Sequence, residues 1–432
     1  MTTTRFITNT LRGKRARLAG AALAASILAA GCGSAAQPAA VPARHPVSLP
    51  LATSLGAGQA TWAVVPMGTT GPNLFWQLFL LPTPAGHWKL TTPPDVATNG
   101  AIALALGAAP AQSATGKSAA ASGKAASASG KSGSSATSAT DGQAAGSGQS
   151  LVTGIHPSLL LDFSPITSTP DGGQHWSAGP PDRGLANVPD ALGTAPGTTR
   201  LIALDRDGDA RQASSATAAW TTLTSTKALA ATPAAQSCRL TALTAVAFDA
   251  TGSPVLAGNC ARPGVAGIFA DQGGSWHAAG PSVPAALRGQ RVQVLRLVRT
   301  GSQLTALLQV GAGRSASVLT AWSANGSWSL SPALPLAGSA VLSSSFGSDG
   351  ATAVEQAGGR AKYLTGPGKS WQSLPALPSG RSVTLALPAG GVDALAADGS
   401  NLTAWRLQAS GGSTSWAKIQ QIKVPIQYGS SS

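Results

Sequence analysis

Acidic side chains are what this sequence lacks most. Charged residues make up 10% of its 432 positions, Asp and Glu together number 15, and Glu355 is the single glutamate. That scarcity leaves little room for chemistry built on paired carboxylates. Tyrosine occurs twice, as Tyr363 and Tyr428, and cysteine three times. With so few Glu and Lys, long amphipathic helices would have nothing to solvate their outer faces. The 52 glycines and 30 prolines favour β structure with many turns instead. His45, His87, His156, His175 and His277 form no pair at metal-ligand spacing, which argues against zinc. No Gly-x-Ser-x-Gly elbow is present, and neither a metal nor a cofactor is expected.

Basic residues are in excess, and the formal charge is +14. Five of them, Arg5, Arg12, Lys14, Arg15 and Arg17, precede an apolar run from Leu18 to Ala30, leaving 24 basic against 15 acidic residues, or +9, in the remainder. Those charges are scattered without interleaved aromatics, which argues against nucleic acid. A basic exterior suits anionic headgroups or cell-wall polymers.

Residues 1–31 read as a secretory signal: a basic zone, an apolar zone too short to span a bilayer, and a small-residue site. At its end, Leu28-Ala29-Ala30-Gly31-Cys32-Gly33-Ser34 resembles the lipobox of bacterial lipoproteins, with Ala29 where Leu is commoner. The resemblance implies cleavage before Cys32, lipid on its thiol and a position on the outer face of a membrane; the alternative is a secretory peptide cleaved near Ala30. Two or three acyl chains would hold the protein stably. Cys238 and Cys260 are then an even pair in an oxidising compartment. They flank a hairpin with its turn at Asp249-Ala250-Thr251-Gly252, so a bridge is expected, with two buried thiols as the alternative. Residues 33–60, rich in Ala, Pro, Ser and Gly, read as a disordered tether that could span about 90 Å. A low-complexity run at about 108–150 reads as a disordered insertion. Its Gly-Lys-Ser triplets lack the first glycine and the flanking elements of a phosphate-binding loop.

The rest of the chain, to about residue 428, repeats. A turn-associated Trp recurs at Trp88, Trp176, Trp220, Trp276, Trp328, Trp371 and Trp416, at intervals of 88, 44, 56, 52, 43 and 45 residues, the first inflated by the insertion. Arg291–Arg299, Gln303–Val310, Ser317–Trp322 and Ser327–Leu330 are four short apolar segments separated by turns, and the string Leu-Thr-Ala-Trp recurs at 319–322 and 402–405. This pattern predicts an all-β fold, a seven-bladed β-propeller of four-stranded antiparallel blades. The first blade shows only three strands, at Thr61–Pro66, Leu74–Leu81 and His87–Leu90. Residues 422–427 are expected to supply the fourth and close the ring. The second blade is expected to resume after the insertion at Ser158–Phe163.

Thr169-Pro170-Asp171-Gly172-Gly173-Gln174-His175-Trp176 resembles the Asp-box of BNR-repeat propellers, the family that includes sialidases. Thr169, Asp171, Gly173 and Trp176 take the motif's structural roles, and Asp271, Gly273 and Trp276 form a weaker copy with Phe269 in place of the hydroxyl residue. The resemblance implies a turn between a blade's third and fourth strands. It also raises the alternative of a sialidase-like glycoside hydrolase, with Tyr363 as nucleophile activated by Glu355 across a hairpin. No early arginine motif of that family is present, and the pair reads more simply as cross-strand neighbours. Asp205-Arg206-Asp207-Gly208-Asp209 lacks the spacing of a calcium loop and reads as a solvated turn. Arg291, Arg296 and Arg299 fall on an innermost strand and are candidates for binding an acidic ligand. The functional expectation is a membrane-anchored, non-catalytic binding or scaffolding module, with an anionic glycan or another surface protein as partner.

Overall fold

The computed structural model describes residues 53–68, 74–92, 102–107, 150–155, 166–178, 191–205, 207–324, 326–410 and 412–425. Cys32, the signal segment, the run 108–149 and Ile426-Gln427 lie outside the described residues.

Five of the six sheets are built from strands consecutive in sequence, covering 102–178, 191–225, 240–278, 292–335 and 382–423. The sixth has eight strands, two antiparallel runs at 53–90 and 341–373 joined by one parallel pairing of Thr53–Ala57 with Val341–Phe346. Taken separately, those two runs bring the total among the described residues to seven units in chain order, six of four strands and one, at 292–335, with Leu334–Pro335 added as a fifth.

Alternation gives every sheet two faces, and both are covered. In unit five, Val294, Leu297 and Leu308 pack against Ala257 and Ile268 of unit four. Its Leu295, Leu307 and Val318 pack against Phe346 and Val354 of unit six. Successive units are joined in this way throughout. Ala63, Val65 and Phe79 of unit one pack against Ala386, Leu395 and Leu402 of unit seven, so the last unit meets the first. The fold is a β-propeller. The repeating Trp residues explain why the units stack. Each sits at the boundary between its own unit and the one before: Trp220, Trp276, Trp328, Trp371 and Trp416 between consecutive units, Trp176 against unit one and Trp88 against unit seven. Trp328 and Trp371 also donate their indole N–H to Ala279 O and Pro332 O at the outer edge of the preceding unit.

Three expectations are corrected. Unit one takes its fourth strand from Thr53–Ala57, inside the segment read as tether. The glycine there reports packing: a Cβ on Gly56 would come within 2.7 Å of Ser348 N, so only glycine allows the approach. Residues 422–423 belong to the long strand Ser413–Lys423, which pairs along its whole length with Asn401–Ser410 of unit seven. They donate no strand to unit one, whose inner position is already filled; Val424 instead packs beside Trp88. In unit two, Ile102–Gly107 pairs with Ser150–Ile155 in a register closing on Gly107↔Ser150. The insertion therefore falls in sequence between the two strands of one hairpin, and strand resumes earlier than 158–163, which lies outside the described residues. Unit five has strands Val292–Thr300, Gln303–Val310, Ser317–Ala324 and Ser327–Leu330, within two residues of expectation.

Cys238 and Cys260 are disulfide-bonded with Cα atoms 5.3 Å apart, beside the Leu240↔Cys260 pair that opens the hairpin. Closing 22 residues stabilises by about 3 kcal/mol in the chain-entropy model.

Candidate functional site

Thr169 ends strand Ile166–Thr169, and Ser177–Ala178 follows the turn, so residues 169–176 link the third and fourth strands of unit two. Asp171 Oδ1 accepts from the backbone N–H of Gln174 and His175 and from Thr169 Oγ1, while Thr169 Oγ1 accepts from Gly173 N. His175 Nδ1 lies 2.5 Å from Asp171 Oδ2. Burial pushes the Asp171 carboxyl up slightly, but the bonds from His175 and Thr169 outweigh it and hold it at about 2. Gly172 and Gly173 adopt φ of 72° and 84°, and a Cβ on Gly173 would meet Thr91 Cβ at 2.7 Å. The side chains of Thr169 and Asp171 are both spent on shaping this turn. The weaker copy is a tighter hairpin: Gly273 and Gly274 have positive φ, and Asp271 Oδ1 accepts from Gly274 N.

Other carboxylates are similarly occupied. Asp205 Oδ1 accepts from the backbone N–H of Asp207 and Asp209, and its Oδ2 pairs with Arg211 at 2.7 Å, so this acidic run is a turn with its own cation. Asp249 forms the same turn, accepting from Thr251 N and Ser253 N. Among the described residues no group of three or more His, Cys, Asp and Glu is placed to hold a metal ion.

Asp393 was not singled out from the sequence. It is fully buried at the start of strand Asp393–Asp398 in unit seven. Its carboxylate accepts from Arg406 Nε and Nη2 at 2.8 and 2.9 Å and from Trp88 Nε1 of unit one at 3.0 Å. Gln420 completes the clamp, its amide accepting from Trp88 N and donating to Trp88 O. The signal was a lone Asp inside an apolar strand pattern, which demands a partner.

Arg291, Arg296 and Arg299 do not converge. Arg291 is exposed beyond the start of Val292–Thr300, and eight residues of extended chain separate it from Arg299 by about 26 Å. Arg296 stands opposite Leu307, on the face toward unit six, whereas Arg299 stands opposite Leu304, on the face toward unit four. A bulge between Val294 and Arg296 interrupts the alternation. Burial lowers the Arg296 guanidinium to about 10 and lowers that of Arg299. Glu355 and Tyr363 share a hairpin but are offset by two pairs, Glu355↔Ala361 and Ala353↔Tyr363 with Val354↔Lys362 between. The carboxylate accepts from Ser343 Oγ at 3.1 Å, and burial raises its pKa. Tyr363 packs against unit seven.

Arg299 does border a small cavity on the propeller axis, about 30 Å³ lined by the inner strands of units one to five, with Leu55, Leu106, Thr194, Phe248 and Leu297 among its walls. Arg200 lies over the Phe248 ring, 5.2 Å from its centroid. That volume is room for about two water molecules, so Arg299 supplies a cation where five units converge on the axis rather than beside a chamber for a bulky ligand.

No protein-family model and no curated protein matches the chain. Among solved structures it is similar to YCF48 from Cyanidioschyzon merolae at 12% identity, covering 80% of this chain and 94% of that one with a TM-score of 0.42. It is similar to the GH74 xyloglucanase of Xanthomonas campestris at 14% identity, covering 85% and 55% with a TM-score of 0.47. It also resembles the fungal lectin of Aleuria aurantia, a six-bladed β-propeller, at 14% identity, covering 78% and 100% with a TM-score of 0.37.

Proposed function

We propose that the chain is an extracytoplasmic lipoprotein, anchored through Cys32 on the outer face of a membrane, whose seven-bladed β-propeller is a non-catalytic binding module for an anionic glycan or a surface protein. One observation carries the binding role: five units converge on the axis, with Arg299 supplying a cation there. The anchor is supported by the lipobox-like run ending in Cys32. The Asp-box reading is supported by the bonds that Asp171 and Thr169 collect within one turn. The seven-blade reading is supported by seven units and seven Trp boundaries.

Two measurements test this. Mass spectrometry of the N-terminal peptide should find diacylglyceryl on Cys32, and Cys32→Ser should move the protein out of the membrane fraction; an unmodified thiol overturns the anchor. A glycan array should show retention of acidic glycans that weakens on Arg299→Ala. Turnover of a fluorogenic sialoside, abolished by Tyr363→Phe, would replace the binding role with hydrolysis.

A further inference from the structure

The end of the propeller at which the inner strands begin carries an arc of exposed arginines across units four to six. Arg239 and Arg262 flank the disulfide hairpin, with Ala261 N donating to Arg239 O and Arg262 N to Cys238 O. Gly264 N donates to Gln290 O, and a Cβ on Gly264 would come within 2.4 Å of Arg288 O, which brings Arg288 and Arg291 alongside. Gly311 N donates to Arg291 O, leading to Arg314 in the short turn Gly313–Ser315. A Cβ on Gly338 would touch Arg314 Cγ at 3.6 Å, and the next residue, Ser339, accepts from Arg360. All six arginines are exposed, and none takes part in the ion pairs found among the described residues.

The acids of these units stand elsewhere. Asp249, Asp271 and Asp349 cap turns at the opposite strand ends, and Glu355 is half-buried on Ser343. Within units four to six, charge is therefore segregated along the propeller axis, while Asp207 and Asp209 of unit three and Asp398 of unit seven stand at the arginine end of the flanking units. Leu342, at 39% one of two exposed large apolar side chains among the described residues, sits at the start of Val341–Phe346 on the arginine end. Thr53–Ala57 runs parallel to that strand, so Thr53 stands nearer the same end than Ala57 does.

We propose that this arginine arc docks the propeller onto an anionic lipid surface, with Leu342 entering the headgroup layer. The inference deepens the lipid-anchor reading and rests on it for orientation. Cations that approach an anionic bilayer together add their attractions, each strengthening partitioning about fivefold, and a neighbouring apolar side chain adds to them. An anionic bilayer is favoured over a soluble polyanion because the arc and the exposed leucine share one end of the propeller, and a soluble polyanion has no use for the leucine.

The test is co-sedimentation of the full unlipidated chain, Cys32→Ser, with vesicles of phosphatidylcholine alone or mixed with phosphatidylglycerol. Residues 1–31 are present in every variant, so their contribution cancels in the ratios. The chain should bind the mixed vesicles, and Arg262→Gln/Arg288→Gln/Arg314→Gln/Arg360→Gln should weaken that binding ~600-fold. Lys89→Gln/Lys369→Gln, at the opposite strand ends, should leave it unchanged. Unaltered urea midpoints establish that the variants are folded. Equal binding by the four-arginine variant, equal binding to neutral vesicles, or retention on heparin without vesicle binding overturns the proposal. Because the assay uses unlipidated protein, its failure leaves the Cys32 reading standing, and an unmodified Cys32 leaves the arc testable.

Discussion

Asp393→Ala should destabilise the propeller by about 3 kcal/mol. The carboxylate is 0% exposed and holds Arg406 through two bonds and Trp88 through one. Its removal strands the Trp88 N–H, on a residue 1% exposed, and leaves the Arg406 guanidinium, whose side chain is 26% exposed, without a counter-charge. Breaking a buried pair costs ~3–5 kcal/mol and an unsatisfied buried donor ~1–3 kcal/mol. The quarter of Arg406 that reaches solvent offsets part of this, which puts the estimate at the lower end. Arg406→Ala should cost at least as much, because the carboxylate it leaves behind is fully enclosed. Equilibrium urea unfolding with the disulfide intact measures both, and a double-mutant cycle isolates the coupling. Hydrogen exchange should show protection falling first at the boundary of units one and seven, because propeller units contact only their neighbours. A loss below about 1 kcal/mol for Asp393→Ala, or uniform loss of protection, would refute the idea that this clamp closes the ring.

Gly56→Ala should cost ~1–3 kcal/mol by overpacking against Ser348, and a urea midpoint equal to wild type would mean that Thr53–Ala57 does not sit beside unit six. Asp171 has a folded pKa of about 2 against 3.8 for the free group, so its contribution is complete above about pH 4 and is lost as pH falls toward 2. The Tm gap between wild type and Asp171→Asn should therefore narrow across that window. Cys238→Ser/Cys260→Ser should lose about 3 kcal/mol, read as a lower urea midpoint under oxidising conditions.

Periodic features were legible in the sequence because they are local. Trp spacing, alternating apolar segments and Gly-containing turns located the strands of unit five within two residues, since each hairpin is specified by its own turn chemistry and alternation. The cysteine pair was legible for the same reason, both partners flanking one hairpin. Thr53–Ala57 was misread because small residues look like a flexible tether until the neighbouring Ser348 is in place, and ring closure was misassigned because the partners are more than 300 residues apart in sequence.

The sequence by itself determined the repeat, the turns, the hairpin disulfide and the excess of positive charge, all of which follow from residues near one another along the chain. Only the tertiary structure decided that Asp393 holds Trp88 and that Arg291, Arg296 and Arg299 part company on one strand. It alone gathered Arg239, Arg262, Arg288, Arg291, Arg314 and Arg360 into one arc. Those outcomes depend on which face a bulge turns a side chain toward and on which strand ends the ring brings together, and neither is encoded in local spacing.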